Sequence, residues 1–162
     1  MINYLREYGS GLISNGYRII PIRRGCKAPI GITGWTQIEA DLNQLGQWIS
    51  AGFEGVGVLA KHNPAIDIDI LDEDVSREMV LKVQEQYPNS PIRIGKSPKT
   101  LLCFRTDMPF KKVRSNTYED QFGDRHAVEI LGDGQQYVAY AEHPDTLRPY
   151  TWFAPDSEQA SP

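Results

Sequence analysis

The chain has 162 residues, of which 40% are apolar and 23% charged, and carries a net charge of −4. This is the size of one domain with a full core, and no apolar run reaches membrane-spanning length, so a membrane partner is not expected. The acidic balance argues against bulk polyanion binding. Cys26 and Cys103, with no CxxC or Cys/His cluster, argue against zinc and for a reduced, cytoplasmic setting, and the first residues lack a basic-then-apolar export pattern.

Residues 2–14 carry Leu5, Tyr8, Leu12 and Ile13 at helical spacing, and Gly16 ends that helix. Tyr17–Ile22 reads as a strand. Residues 24–37 form a loop rich in Gly, Pro and Lys, ending near Trp35. Asp41 is an N-cap for a helix bearing Leu42, Leu45, Trp48 and Ile49, which Gly52 stops. Gly55–Ala60 is a buried-type strand, and Asn63-Pro64 turns into Ala65–Leu71. Asp72 or Asp74 caps a helix over 74–87, with Val75, Met79 and Val83 inward. Pro88 and Pro91 break the chain before an apolar strand, Thr100–Phe104. Residues 107–125 are polar without a clear period. Ala127–Leu131 and Gln136–Ala141 are strands that Gly132-Asp133-Gly134 would join as a hairpin, and Pro149–Phe153 supplies a last strand. Helices and strands in this order suggest an α+β (mixed α/β) fold with a largely antiparallel second half. Residues 1–153 form the domain, and residues 154–162 read as a polar tail or linker.

The strand Ala65-Ile66-Asp67-Ile68-Asp69-Ile70 carries the strongest chemical signal. Strict alternation puts both carboxylates on one face, with Cα atoms about 6.5–7 Å apart. Such a pair repels by roughly 3 kcal/mol at an effective dielectric near 20, so a bound cation is the natural reason to keep it. Glu129, in His126-Ala127-Val128-Glu129-Ile130-Leu131, is a third acidic group on an apolar strand. By itself it reads first as a polar residue on the solvated face of a hairpin. With Asp67 and Asp69 it completes a set able to hold two divalent cations, and the all-oxygen ligands suit Mg²⁺ or Mn²⁺.

Charge is segregated along the chain. Residues 67–78 hold Asp67, Asp69, Asp72, Glu73, Asp74 and Glu78 against Arg77, whereas 93–114 hold Arg93, Lys96, Lys99, Arg105, Lys111, Lys112 and Arg114 against Asp107. Metal ions with phosphates would account for this, as would two solvated faces of opposite sign. Arg93-Ile94-Gly95-Lys96-Ser97-Pro98-Lys99 suits a triphosphate, with Gly95 permitting close backbone approach; it reads otherwise as a basic surface turn. No GxxxxGK[ST] loop is present, which argues against a P-loop ATPase. His143, in Glu142-His143-Pro144-Asp145-Thr146, could sit over the sheet or be structural. Lys27, in Cys26-Lys27-Ala28-Pro29, is a loop lysine or a phosphate or template contact.

Together these segments resemble the bifunctional primase–polymerase (prim-pol) domain of the archaeo-eukaryotic primase superfamily. The resemblance runs from about Tyr4 to Trp152. It rests on Gly16–Ile22, Lys27-Ala28-Pro29 and Trp35, on Gly55–Val58 leading into Ile66-Asp67-Ile68-Asp69, on Val128-Glu129, and on Tyr137-Val138-Ala139, His143–Thr146 and Tyr150-Thr151-Trp152. The family's second motif is Ser-x-His, whereas this chain has Ser97-Pro98-Lys99.

The resemblance implies an N-terminal α/β unit packed on an RRM-like antiparallel catalytic sheet, with the active site between them. It implies template-directed primer synthesis and extension from dNTPs or NTPs. Asp67, Asp69 and Glu129 would hold two metals, and Arg93, Lys96, Ser97, Lys99 and His143 would bind the nucleotide. Lys27, Lys111, Lys112 and Arg114 would contact a single-stranded DNA template or primer. A fused or associated helicase in phage or plasmid replication is a further implied partner. Two alternatives stay open: a non-catalytic nucleotide or single-strand binding module, and a metal-dependent nuclease or phosphohydrolase.

Overall fold

The structure, a computed structural model, describes residues 2–153, so the expected linker at 154–162 lies outside the described residues. Among the described residues, three α-helices accompany two sheets, and every strand ladder is antiparallel. The fold is α+β, as the sequence implied.

Helix α1 (Tyr4–Ser14) is capped by Asn3, whose side chain accepts from Arg6 N–H. It buries Leu5 and Leu12, and Tyr8 and Ile13 pack alongside. Gly16, at φ 80°, turns the chain into β1 (Ile19–Ile22). Asp41 caps α2 (Leu42–Ser50) as expected, accepting from Gln44 N–H at 2.8 Å. Leu45 and Trp48 are buried, whereas Leu42, in the first turn of α2, is 61% exposed. Strand β2 (Gly55–Leu59) pairs with β1 and with β9 (Gln136–Tyr140) to make a three-stranded sheet.

The larger sheet contains β3 (Ala65–Asp69), β4 (Ile92–Ile94), β5 (Thr100–Cys103), β6 (Val113–Arg114), β8 (Arg125–Leu131) and β10 (Thr151–Phe153). Its order is β10-β4-β5-β3-β8-β6, and the two-residue β7 (Tyr118–Glu119) also pairs with β8. Helix α3 (Glu73–Gln86) covers one face, where Met79, Val80 and Val83 pack on Ile66, Ile68 and Leu102. Val75, in the first turn of α3, is 46% exposed and does not turn inward, because it lines a surface cavity with Ile70, Tyr118 and Val128. The opposite face, with Ala65, Leu101, Cys103, Leu131 and Trp152, shares a core with α1, α2 and the small sheet. Each fully buried Leu or Ile there contributes roughly 1.5–3 kcal/mol of apolar transfer.

The expected hairpin between residues 127–131 and 136–141 does not form. Strand β8 lies in the large sheet and β9 in the small one, so residues 132–135 are a corner that changes sheets. The cause is tertiary. Gly132 packs so closely on the Phe110 carbonyl that an added Cβ would lie 2.2 Å from its oxygen, and Asp133 N–H donates to that same oxygen. The segment 107–125 does contain strands, but β6 and β7 have only two residues each, too short to show a period.

Candidate active site

The pairing register lines up a row of side chains across the large sheet. Asp67 lies opposite Glu129 on β8 and Leu101 on β5, Leu101 opposite Arg93, and Arg93 opposite Trp152. On the other flank Glu129 lies opposite Arg114. Asp69 stands one step further along β3, opposite Ala127 and on the same face as Asp67. The three carboxylates expected at the site therefore share one face of two neighbouring strands, the face turned toward the N-terminal unit.

Their present partners differ. Asp69 pairs with Lys99 at 2.5 Å. Glu129 receives Lys112 on one oxygen at 2.7 Å and Arg114 on the other at 3.1 Å. The Asp67 carboxylate makes no hydrogen bond or ion pair with any described residue. Burial raises its pKa above the usual carboxylate range, Arg93 opposes that shift, and Asp69 and Glu129 add to it. An unpaired, partly buried carboxylate beside two others is a place where added positive charge is strongly favoured. The donor set is all oxygen and fits Mg²⁺ or Mn²⁺ in chemistry. In their present rotamers, however, no three His, Cys, Asp or Glu side chains among the described residues converge on one ion.

Asp67 and Asp69 line a cavity of about 260 Å³, together with Lys27, Arg93, Gly95, Lys96, Lys99, Thr100, His143 and Tyr150. Most of the expected nucleotide-binding residues thus meet in one place. Ser97 does not; it sits exposed at the tip of the turn between β4 and β5. Lys27, expected at the template, lines this cavity and faces Asp145 at 3.7 Å, and Lys96 approaches the same carboxylate at 3.8 Å. Lys111 lies away from the cavity, paired with Asp133 at the corner between the sheets. The acidic run also divides. Only Asp67 and Asp69 reach the site, while Asp72, Glu73 and Asp74 cap and charge the N-terminus of α3.

Arg93 is built into the floor of the cavity. One terminal nitrogen donates to the Val138 carbonyl of β9, tying the two sheets together, and its guanidinium lies 4.5 Å from the Tyr150 ring centre. His143 is 5% exposed and lies 5.3 Å from the same ring. Its Nδ1 accepts from Asp145 N–H at 3.2 Å, so a neutral ring carries its proton on Nε2, for which no described residue is a partner. Burial, helped by Lys27, Arg93 and Lys96, pushes its pKa below the usual histidine range, with Asp145 opposing. A neutral donor, not an imidazolium, is what this ring offers.

The role of Gly95 differs from the one expected, and several supporting residues were not singled out by their sequence pattern. Gly95 gives close approach not to a ligand but to Tyr150 and His143; a Cβ there would sit 2.3 Å from the Tyr150 ring. Ser76 on α3 and Thr100 both donate to the Pro98 carbonyl, at 2.7 and 2.9 Å, holding the backbone next to Lys99. His126 accepts from Leu71 N–H through Nδ1 and donates from Nε2 to Asp120, each at 3.0 Å, which fastens the chain just beyond Asp69. None of these follows from local periodicity; at most, His126 stands out as a polar residue on an apolar strand. Cys103 has no chemical role here, since burial pushes its thiol up to about 12. Among the described residues no helix is long and apolar enough to cross a membrane.

Comparison with known proteins yields one assignment. A family model described as bifunctional DNA primase/polymerase, N-terminal, matches residues 11–162. No curated protein and no solved structure gives a significant match. The carboxylate pair, the facing basic cavity and this near-complete match agree: the chain belongs to the Prim-Pol family, the bifunctional DNA primase/polymerase N-terminal domain, and its function is of the primase/polymerase type.

Proposed function

We propose that this domain synthesises and extends primers on a single-stranded DNA template, transferring a nucleotidyl group from a dNTP or NTP to a 3′-hydroxyl. The observation that carries this reading is the shared register of Asp67 and Glu129, with Asp69 on the same face, beside a cavity walled by Arg93, Lys96 and Lys99. Asp67, Asp69 and Glu129 would hold Mg²⁺ or Mn²⁺. When bound, the ions supply Lewis-acid activation of the attacking hydroxyl and neutralise charge on the leaving pyrophosphate. Lys96 and Lys99 bring point charges to the triphosphate, and Lys27 extends the basic wall. Arg93 orients rather than swings, because Val138 and Tyr150 fix its guanidinium. His143 donates from Nε2 to the bound nucleotide. Phage or plasmid-type replication, with a helicase alongside, is the setting this chemistry suits. The test is extension of a labelled primer with and without Mg²⁺ or Mn²⁺; metal-independent extension, or none under any condition, overturns the reading.

One observation favours a second reading. Lys99 stands where the family motif has histidine and already neutralises Asp69 at 2.5 Å. A module that binds nucleotide or single strands without catalysis would tolerate this. It predicts salt-sensitive binding that EDTA leaves unchanged, with no chain growth.

A further inference from the structure

We infer that Lys112 and Arg114 form a gated phosphate clamp for the backbone of a single strand, latched by Glu129 and released when a divalent cation takes that carboxylate. This rests on the metal-binding reading of Asp67, Asp69 and Glu129.

Both oxygens of Glu129 are occupied, one by Lys112 and one by Arg114. A cation that takes either oxygen therefore frees at least one of these side chains. Their backbone need not move. Arg114 is paired in register with Glu129, and Ser115 exchanges hydrogen bonds with Val128 through its N–H and its hydroxyl, at 2.9 and 3.0 Å. Only the side chains swing, and both already reach solvent, with 34% of Lys112 and 53% of Arg114 exposed.

Position identifies the ligand. The strand order β4-β5-β3-β8-β6 puts the triphosphate cavity on the β4–β5 side of the carboxylates and the clamp on the β6 side. Strand β6 is two strands from β3, about 10 Å from Asp67 at ordinary strand spacing. A triphosphate seated in the cavity lies on the far side of the carboxylates, so the phosphates that meet the clamp are those of the nucleic acid. The latch has an electrostatic purpose. Without metal, two free cations beside an empty site would hold polyanions unproductively; latched, they neutralise Glu129.

The test uses the full chain and measures anisotropy of a fluorescein-labelled oligothymidylate over a range of salt, with Mn²⁺ binding followed separately by electron paramagnetic resonance. Glu129→Gln should bind the oligonucleotide more tightly than wild type without metal. Its slope of log K against log salt should steepen by about 1.4, the increment for two cations on a single strand. Mn²⁺ should tighten wild-type binding, and the double variant Lys112→Ala/Arg114→Ala should lose that gain while still binding Mn²⁺. An unchanged affinity and slope in metal-free Glu129→Gln overturns the clamp, as does a gain confined to a fluorescent nucleoside triphosphate. If wild type binds no Mn²⁺, the metal reading fails, and the Glu129→Gln comparison still decides the clamp.

Discussion

The two flanks of the carboxylate row are built differently. On the β4–β5 side, Arg93, Gly95, His143 and Tyr150 interlock by ring contacts and a hydrogen bond between the sheets, and Ser76 and Thr100 pin the turn that carries Lys99. On the β6 side, Lys112, just before a two-residue strand, and Arg114 within it meet Glu129 by ion pairs at the rim. Packing fixes the side chains of the first flank; on the second the backbone is paired, and ion pairs hold the side chains. Packed groups keep one geometry whatever is bound, whereas partly exposed ion pairs, worth about 0–1 kcal/mol each, can exchange partners cheaply. The first flank suits a fixed binding cavity, and the second suits a surface that rearranges when ligands arrive.

The largest expected effect lies on the row itself. Asp67→Asn, Asp69→Asn and Glu129→Gln should each cut primer extension by about 10³-fold, measured at saturating nucleotide and metal. Asp67→Asn should also melt at a higher temperature at neutral pH. Because burial raises the folded pKa of Asp67, its stabilising contribution is complete below 3.8 and is lost as pH rises through the raised value. Asparagine removes that loss. A lower melting temperature would mean that Asp67 is not destabilised as described.

Next in size is the packed flank. Arg93→Ala removes a charged donor between the sheets and should cost about 1.5–3 kcal/mol in urea unfolding. Gly95→Ala drives a methyl into the Tyr150 ring and should cost about 1–3 kcal/mol while raising the nucleotide KM. Loss of stability without a KM change would separate this flank from nucleotide binding.

A smaller effect should appear in acid. The folded pKa of His143 is lowered from 6.5, so its stabilising contribution is present above 6.5 and is lost as pH falls through the lowered value. His143→Gln should therefore flatten the fall in melting temperature below pH 6.5. An unchanged pH profile would show that another group sets it. Smallest of all, Lys112→Ala should shift stability by at most about 1 kcal/mol, as partly exposed ion pairs do. A larger shift would place β6 among the packed elements and erase the contrast between the flanks.

Much of the row was legible in the chain. The period-two alternation of residues 65–70 specifies which face carries Asp67 and Asp69, and the same logic places Glu129 on its strand. Caps were legible too, since Asp41 and Asp72 act within three residues of themselves. What could not be read was which strands become neighbours. The turn signal at 132–134 is real, and Gly134 does adopt φ 83°, but a hairpin and a corner between sheets use the same residues. The choice is made by Phe110, more than twenty residues away in sequence. The role of Gly95 was hidden for the same reason. A glycine in a basic loop reads as room for phosphate until Tyr150 is seen to fill that room.

The corner after β8 also has a mechanical consequence. One short stretch of chain passes from Glu129 in the large sheet to Val138 in the small one, and Arg93 reaches back across the same gap. The two sheets are thus stitched by chain and by side chain, and Trp152 adds a further tie by donating from Nε1 to the Ala139 carbonyl at 2.9 Å. They cannot part like jaws to admit a template and close on it. Any closing over a substrate belongs to the loops at the rim, and the sheets beneath act as a rigid anvil.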